Sequence, residues 1–234
     1  MLSYDKWLSN FLTEYCILEA LILNKSEFSK VVPEDGSKLP LMEAFYTIQG
    51  EGFHSGRAAY FIRLGGCDVG CHWCDVKESW NAEDHPLTAV EEIVAMANEH
   101  PAKTVVITGG EPLIYNLKPL TQKLHEKGIQ TFIETSGAYP LSGEWDWICL
   151  SPKKFKAPQE SIMPHVSELK VVIFNKSDFE WAEQFAGKLD PKARLYLQPE
   201  WSKAEIVTPL IVEYVKNNPK WQISVQTHKY MNIP

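Results

Sequence analysis

Apolar residues recur along this chain with two periods, and the switching between them predicts the fold. Helical spacing marks Trp7, Leu8, Phe11, Leu12, Tyr15, Leu18 and Ile22, so an amphipathic helix is expected over 4–23. From residue 39 onward, short apolar runs bounded by Gly, Pro, Asn or Asp read as strands. They fall at 41–46, 60–64, 104–108, 129–134, 147–150, 168–173, 195–197 and 222–226. Between them the period lengthens. Thr88 and Glu91 predict a capping box for a helix with Val90, Ile93, Val94 and Ala97 on its buried face. Leu117, Leu120 and Leu124 outline a second helix ending at Gly128, and two more are expected over 178–188 and 204–216.

Repeated strand–helix alternation implies a parallel sheet with right-handed crossovers. A closed eightfold barrel takes about 250 residues, more than the chain offers after residue 39. The expected class is α/β: a partial, open parallel β/α barrel of about six or seven strands. Residues 39–234 form its domain. Residues 1–38 read as an N-terminal extension, a helix plus linker, with loop signals at Asn24-Lys25-Ser26 and 33–37 and Cys16 as a packed thiol.

Composition narrows the class. The chain has 234 residues, 44% hydrophobic and 23% charged, as in ordinary globular proteins. A net charge of −7 argues against a general nucleic-acid-binding surface. No apolar run reaches the roughly 18 residues of a membrane span, and the start carries no basic region followed by an apolar block. A reducing, cytoplasmic location is expected.

Three of the five cysteines, Cys67, Cys71 and Cys74, sit in one short loop with the spacing Cys-x3-Cys-x2-Cys. That suits a metal centre better than a disulfide framework. Three thiolates can hold three irons of a cubane and leave the fourth iron open for chemistry. The alternative is a closed zinc site with His72 as fourth ligand. The spacing resembles that of the radical S-adenosylmethionine (SAM) superfamily, in which SAM chelates the open iron.

Other polar motifs fall just after predicted strands, on the rim where α/β folds bind ligands. Gln49-Gly50-Glu51-Gly52 makes a tight polar turn. Arg63 is a charge in a core strand, to be met by an anionic substrate or a structural carboxylate. Gly109-Gly110-Glu111-Pro112 offers backbone access and a carboxylate, or is an ordinary turn. Glu134-Thr135-Ser136-Gly137 can bond a ribose or carboxylate, or cap a helix. Ser151-Pro152-Lys153 presents a hydroxyl and a cation, or a surface lysine. Gln198-Pro199-Glu200 can hold adenine, or is a proline turn.

With Phe61-Ile62-Arg63-Leu64 and the closing Gln226-Thr227-His228-Lys229-Tyr230-Met231-Asn232-Ile233-Pro234, these motifs look like those of the 7-carboxy-7-deazaguanine synthases. The resemblance spans 39–234. It implies a lyase that converts 6-carboxy-5,6,7,8-tetrahydropterin to 7-carboxy-7-deazaguanine with loss of ammonia, on the route to queuosine in tRNA. The cofactors it implies are a 4Fe-4S cluster and SAM, which is cleaved to a 5′-deoxyadenosyl radical and regenerated. By position, Cys67, Cys71 and Cys74 hold the cluster. Trp73, Cys74, Asp75, Gly110, Glu111, Ser136, Ser151, Pro152, Lys153, Gln198, Pro199, Glu200 and Trp201 line the SAM site. Ile48, Gln49, Gly50, Glu51, Arg63, Thr108, Gly109, His228 and Pro234 contact the pterin. No side chain is assigned as acid or base. A homodimer and a flavodoxin or ferredoxin as reductant are implied as partners. One position departs from the family: Val76 stands where a Thr or Ser hydroxyl helps bind magnesium. Reduced dependence on Mg2+ is expected, because magnesium wants oxygen ligands. Two rivals remain at this point. A glycyl-radical activase would need a protein partner, and a non-catalytic electron-transfer or zinc module would need a closed site.

Overall fold

The structure, a computed structural model, describes residues 32–234. The helix expected over 4–23, Cys16 and the loop at 24–26 lie outside the described residues.

Among the described residues nine strands form one sheet in the order β3-β1-β2-β4-β5-β6-β7-β8-β9. β1 (Lys38–Ile48) runs antiparallel to β2 (Ala58–Leu64) on one side and to β3 (Leu87–Ala89) on the other. From β2 onward every pairing is parallel, through β4 (Thr104–Gly109), β5 (Gln130–Thr135), β6 (Trp147–Leu150), β7 (Glu168–Ile173), β8 (Arg194–Pro199) and β9 (Trp221–Ile223). Among the described residues the sheet ends at β3 and β9, which do not pair, so it does not close. Its parallel part has seven strands, as expected; the antiparallel pair at one edge adds the other two. Helices α1 (Val90–Asn98), α2 (Lys118–Glu126), α3 (Ser177–Ala186) and α4 (Ala204–Asn217) lie between strands, and α5 (Thr227–Met231) follows the last one.

The two-residue period of each strand divides the sheet into two faces. Ile62, Leu64, Ile107, Ile133, Leu150, Leu169, Val171 and Leu197 pack with Ile93, Leu120, Leu124 and Ile211 of the helices in the main core. Val32 belongs to that core as well. The other face carries a smaller cluster of Ala59, Val106 and Phe132, flanked by Phe61 and Trp147. Two positions further along the same strands come Arg63, Thr108 and Glu134. Each is one pleat repeat, about 6.6 Å, nearer the carboxyl rim. The inner face therefore grades from an apolar floor to a polar mouth. Phe53 stacks on Trp147 at 5.0 Å and His54 on Phe132 at 4.5 Å, which covers the floor from outside. Glu168 is a carboxylate at this level. It accepts from the Phe53 backbone N–H (3.2 Å) and Trp147 Nε1 (3.0 Å), while burial and the charge of Glu134 push it up to about 7.

Two local expectations change. Thr88 does not cap α1. It pairs with Leu39 within β3, its hydroxyl donates to the Pro86 carbonyl (3.4 Å), and the helix starts after Ala89 without a side-chain cap. The strand expected at 222–226 stops at Ile223, because Ser224 turns inward to bond Gln198 and Gly52. Beyond it the tail forms the short helix α5. Cys149 is buried in β6, and burial raises its thiol well above the ordinary value.

Candidate functional site

All the parallel strands end on one rim, and β2 feeds directly into the cysteine loop. That loop is fastened at its base: the Gly66 N–H donates to the Ser79 carbonyl (2.7 Å) and the Cys67 N–H to the Trp80 carbonyl (2.9 Å). Gly110 packs so closely that a Cβ there would lie 2.2 Å from the Gly66 carbonyl oxygen and 2.7 Å from Cys67 Cβ. Its N–H donates to the Leu64 carbonyl, and that of Glu111 to the Gly66 carbonyl, both at 2.9 Å. The glycine pair thus seats the end of β4 against the cysteine loop, a role its sequence does not disclose.

Cys71 is buried, Cys67 and Cys74 are half-buried, and all three are free thiols on one cavity wall. Burial pushes Cys67 up to about 12 and Cys71 above its usual value, with Glu111 and the neighbouring thiols adding to the effect. A cationic centre would reverse that penalty, since thiolates are the ligating form. Among the described residues no three His, Cys, Asp or Glu side chains converge on a single ion. His72 is exposed and lies edge-on to Phe155 (5.4 Å) and Phe174 (5.3 Å). Three separate thiols facing one cavity suit a cubane, with an iron for each and one left over; they do not suit one zinc ion.

The cavity has a volume of about 320 Å3. Its wall includes Gln49, Gly50, Glu51, Arg63, Trp73, Asp75, Val76, Thr108, Gly109, Gly110, Glu111, Ser136, Ser151, Lys153, Gln198, Pro199, Glu200, Trp201, His228 and Pro234. Two expected contacts do not line it. Ile48 is paired with Ala58 at the end of β1, and Pro152, between two lining residues, is buried.

Several lining groups are already held by the protein. Glu111, almost wholly buried, accepts from Leu113 N–H (3.0 Å), Thr135 Oγ1 (2.5 Å), Ser136 N–H (2.8 Å) and the Ser136 hydroxyl. Four donors fill its acceptor sites, so the carboxylate braces the rim between β4 and β5. Lys153 Nζ donates to the Ser151 carbonyl (2.6 Å) and hydroxyl (2.7 Å) and lies 5.8 Å from the Trp73 ring centre. Arg63 does meet a structural carboxylate: its Nε donates to Glu43 Oε1 at 2.6 Å. The Nη atoms have no hydrogen bond among the described residues.

A buried ion network crosses the middle of the barrel. Lys170 Nζ donates to Glu51 Oε2 (2.6 Å) and Glu134 Oε2 (2.8 Å). Gln226 Nε2 donates to the other Glu51 oxygen (2.8 Å), and Gln49 Nε2 to the other Glu134 oxygen (3.3 Å). Burial alone would lower Lys170, but the two carboxylates raise it well above its ordinary value. Burial alone would raise Glu51, yet Lys170 and the amides bring it down to about 2. The tail is docked on this network. Thr227 N–H and Oγ1 both donate to the Gly50 carbonyl (2.9 Å), and Thr47 Oγ1 donates to the Pro234 carbonyl (3.1 Å). Lys229 reaches Asp75 (3.2 Å) over the Trp201 ring.

Residues 61–150 match the sequence profile of the Radical SAM superfamily. Over 205 residues the chain is 60% identical to 7-carboxy-7-deazaguanine synthase from Flavobacterium psychrophilum, covering 88% of this chain and 97% of that protein. The chain belongs to the 7-carboxy-7-deazaguanine synthase family. The synthase from Synechocystis is 49% identical over 83% of this chain and 93% of its own. The crystal structure of QueE from Escherichia coli superposes with a TM-score of 0.74 at 30% identity, covering 82% of this chain and 96% of that one. As a member of the synthase family the protein is a radical SAM lyase whose cofactors are a 4Fe-4S cluster and SAM. Among the described residues no helix is long and apolar enough to cross a membrane.

The expected synthase site omitted Lys170, Gln226 and the carboxylate of Glu134, which together form the polar centre of the cavity. Lys170 sits in the run Glu-Leu-Lys-Val-Val-Ile, read as a plain apolar strand. The signal was available: a lysine amid buried aliphatic residues needs a partner.

Proposed function

We propose that this chain converts 6-carboxy-5,6,7,8-tetrahydropterin to 7-carboxy-7-deazaguanine with release of ammonia, for queuosine or related 7-deazapurines. The observation that carries this reading is the convergence of three thiols, the Arg63 fork and the Glu51–Lys170–Glu134 network on one cavity. Cys67, Cys71 and Cys74 would hold the cluster, and Trp73, Gly110, Ser151, Lys153 and Gln198–Trp201 the SAM. When bound, the reduced cluster and SAM supply the radical that starts the reaction.

The rest is positioning by the protein. Arg63, fixed through Nε, presents its remaining nitrogens to the substrate carboxylate, where a planar fork fits bidentately. Glu51 and Glu134 place carboxylate acceptors inside the cavity, matched to the N–H-rich edge of a pterin. Gln49, His228 and Pro234 close the cavity beside them, and the apolar floor keeps water from entering below. Residues 39–234 would form the catalytic domain, working in the cytoplasm as a homodimer with a flavodoxin or ferredoxin as electron donor. The test is anaerobic reconstitution with SAM, reductant and the carboxytetrahydropterin. Formation of 7-carboxy-7-deazaguanine is expected. Recovery of 5′-deoxyadenosine alone would overturn the substrate.

Magnesium dependence should be weak. Val76 has no side-chain oxygen, and its carbonyl already accepts from the Ser79 N–H (3.1 Å) and hydroxyl (2.7 Å). In cluster-intact, metal-stripped enzyme, added Mg2+ is expected to raise the rate by less than about threefold, under ~1 kcal/mol. Val76→Thr should introduce a saturable stimulation. A large saturable response in the unmodified chain would contradict this.

A further inference from the structure

One buried charged cluster lies against the cysteine loop and lines no part of the cavity. Asp68 directly follows Cys67, and its side chain is only 12% exposed. Lys156 Nζ donates to Asp68 Oδ2 (2.7 Å) and to the Tyr139 hydroxyl (2.8 Å), and lies 4.1 Å from the centre of the Tyr139 ring. The Tyr139 hydroxyl donates to the same Asp68 oxygen. Asp68 Oδ1 is buried with no hydrogen-bond partner among the described residues. Tyr139 also packs on the group formed by Val69, Cys71 and Ala138, which includes the edges of Cys67 and Cys74. Three segments thus meet here: the cysteine loop, the chain after β5, and the chain after β6.

We propose that Lys156, held by Asp68 and Tyr139, is a positioning residue that fixes the charge beside the cluster and so sets how readily the cluster accepts its electron. The inference rests on Cys67, Cys71 and Cys74 being the cluster ligands. Reduction adds negative charge to a centre already bound by three thiolates. Net charge and hydrogen bonding around such a centre govern its potential. Asp68 alone would oppose reduction from one residue away, in surroundings where charges are weakly screened. With Oδ1 unpartnered, Lys156 and the Tyr139 hydroxyl provide all the compensation seen for that carboxylate. Asp68, Tyr139 and Lys156 back the cysteine loop without lining the cavity, so their charge can change without removing a lining group.

The experiment is a potentiometric titration of the anaerobically reconstituted chain, followed by the electron paramagnetic resonance of the reduced cluster. At a fixed potential, Lys156→Met should lower the ratio of reduced to oxidised cluster about tenfold, which is 59 mV for one electron. Asp68→Asn should raise it. The double variant should return to within about twofold of the unmodified chain, because the two charges cancel. Lys156→Arg should keep the original ratio. Iron content should be equal throughout. An unchanged potential in Lys156→Met, a shift of the same sign in both single variants, or a shift that persists in the double variant would overturn the proposal. If Lys156→Met binds no cluster, the Arg and Asn variants decide alone: the first must keep the ratio and the second must raise it. Absence of a reducible cluster in the unmodified chain would instead overturn the ligand assignment.

Discussion

Lys170→Met should make this protein markedly easier to unfold and should make its stability fall as pH rises. The substitution removes the cation that, among the described residues, Glu51 and Glu134 share, and leaves two carboxylates in the barrel. Breaking a buried ion pair from one side costs about 3–5 kcal/mol. In the intact protein Glu51 is held down to about 2, below its ordinary 4.5. Its contribution is therefore complete above the unfolded value and lost as pH falls through about 2. Without Lys170 the sign reverses. The buried carboxylates would be pushed above their unfolded values, and the stability they retain would be present at low pH and lost as pH rises through the new values. Glu168, already raised to about 7, is also held down by the Lys170 charge, so losing that charge raises it further and adds to the pH-dependent difference between the two proteins. Urea unfolding at pH 5 and pH 8 measures it. A variant with the same loss at both values, or with less than about 1 kcal/mol at pH 8, would contradict this reading of the network.

Gly110→Ala should cost the enzyme its cluster. The added methyl would meet the Gly66 carbonyl at 2.2 Å and Cys67 Cβ at 2.7 Å. One obstacle is backbone and the other is the first atom of the Cys67 side chain, so neither can rotate away. The cysteine loop must move, and misplacing a reactive group by about 1 Å can cost 100-fold in rate. Iron and sulfide content should fall well below that of the unmodified chain, and SAM cleavage by about 100-fold or more. Full iron loading with an unchanged rate would show that the rim can part from the loop without consequence.

The parallel strands were legible because each is a run of aliphatic or aromatic residues stopped by Gly, Pro or a polar pair. β3 was not, since three residues carry no period, and Thr88 within it imitated a helix cap. The rim motifs could be read because each is contiguous in sequence and follows a strand. What each side chain bonds to could not be read so easily. The Glu111 carboxylate reads as a ligand to something bound, yet its four donors come from Leu113, Thr135 and Ser136. Arg63 was legible as a charge needing a partner, but Glu43 faces it across an antiparallel pairing that sequence spacing does not reveal. Lys170 was hidden for the opposite reason: its aliphatic neighbours belong to the other face of the same strand.

The docking of the tail on the Gln49–Gly52 turn has a consequence for how the protein is made. Thr227 and Gly50 are 177 positions apart, and Thr47 and Pro234 are 187 apart. Contacts so distant in sequence form late, after most of the chain is in place. During translation the cysteine loop emerges early, but the wall that Gln226, His228 and Pro234 contribute is missing until those residues leave the ribosome. Until then the cavity that carries the three thiols stands open on that side.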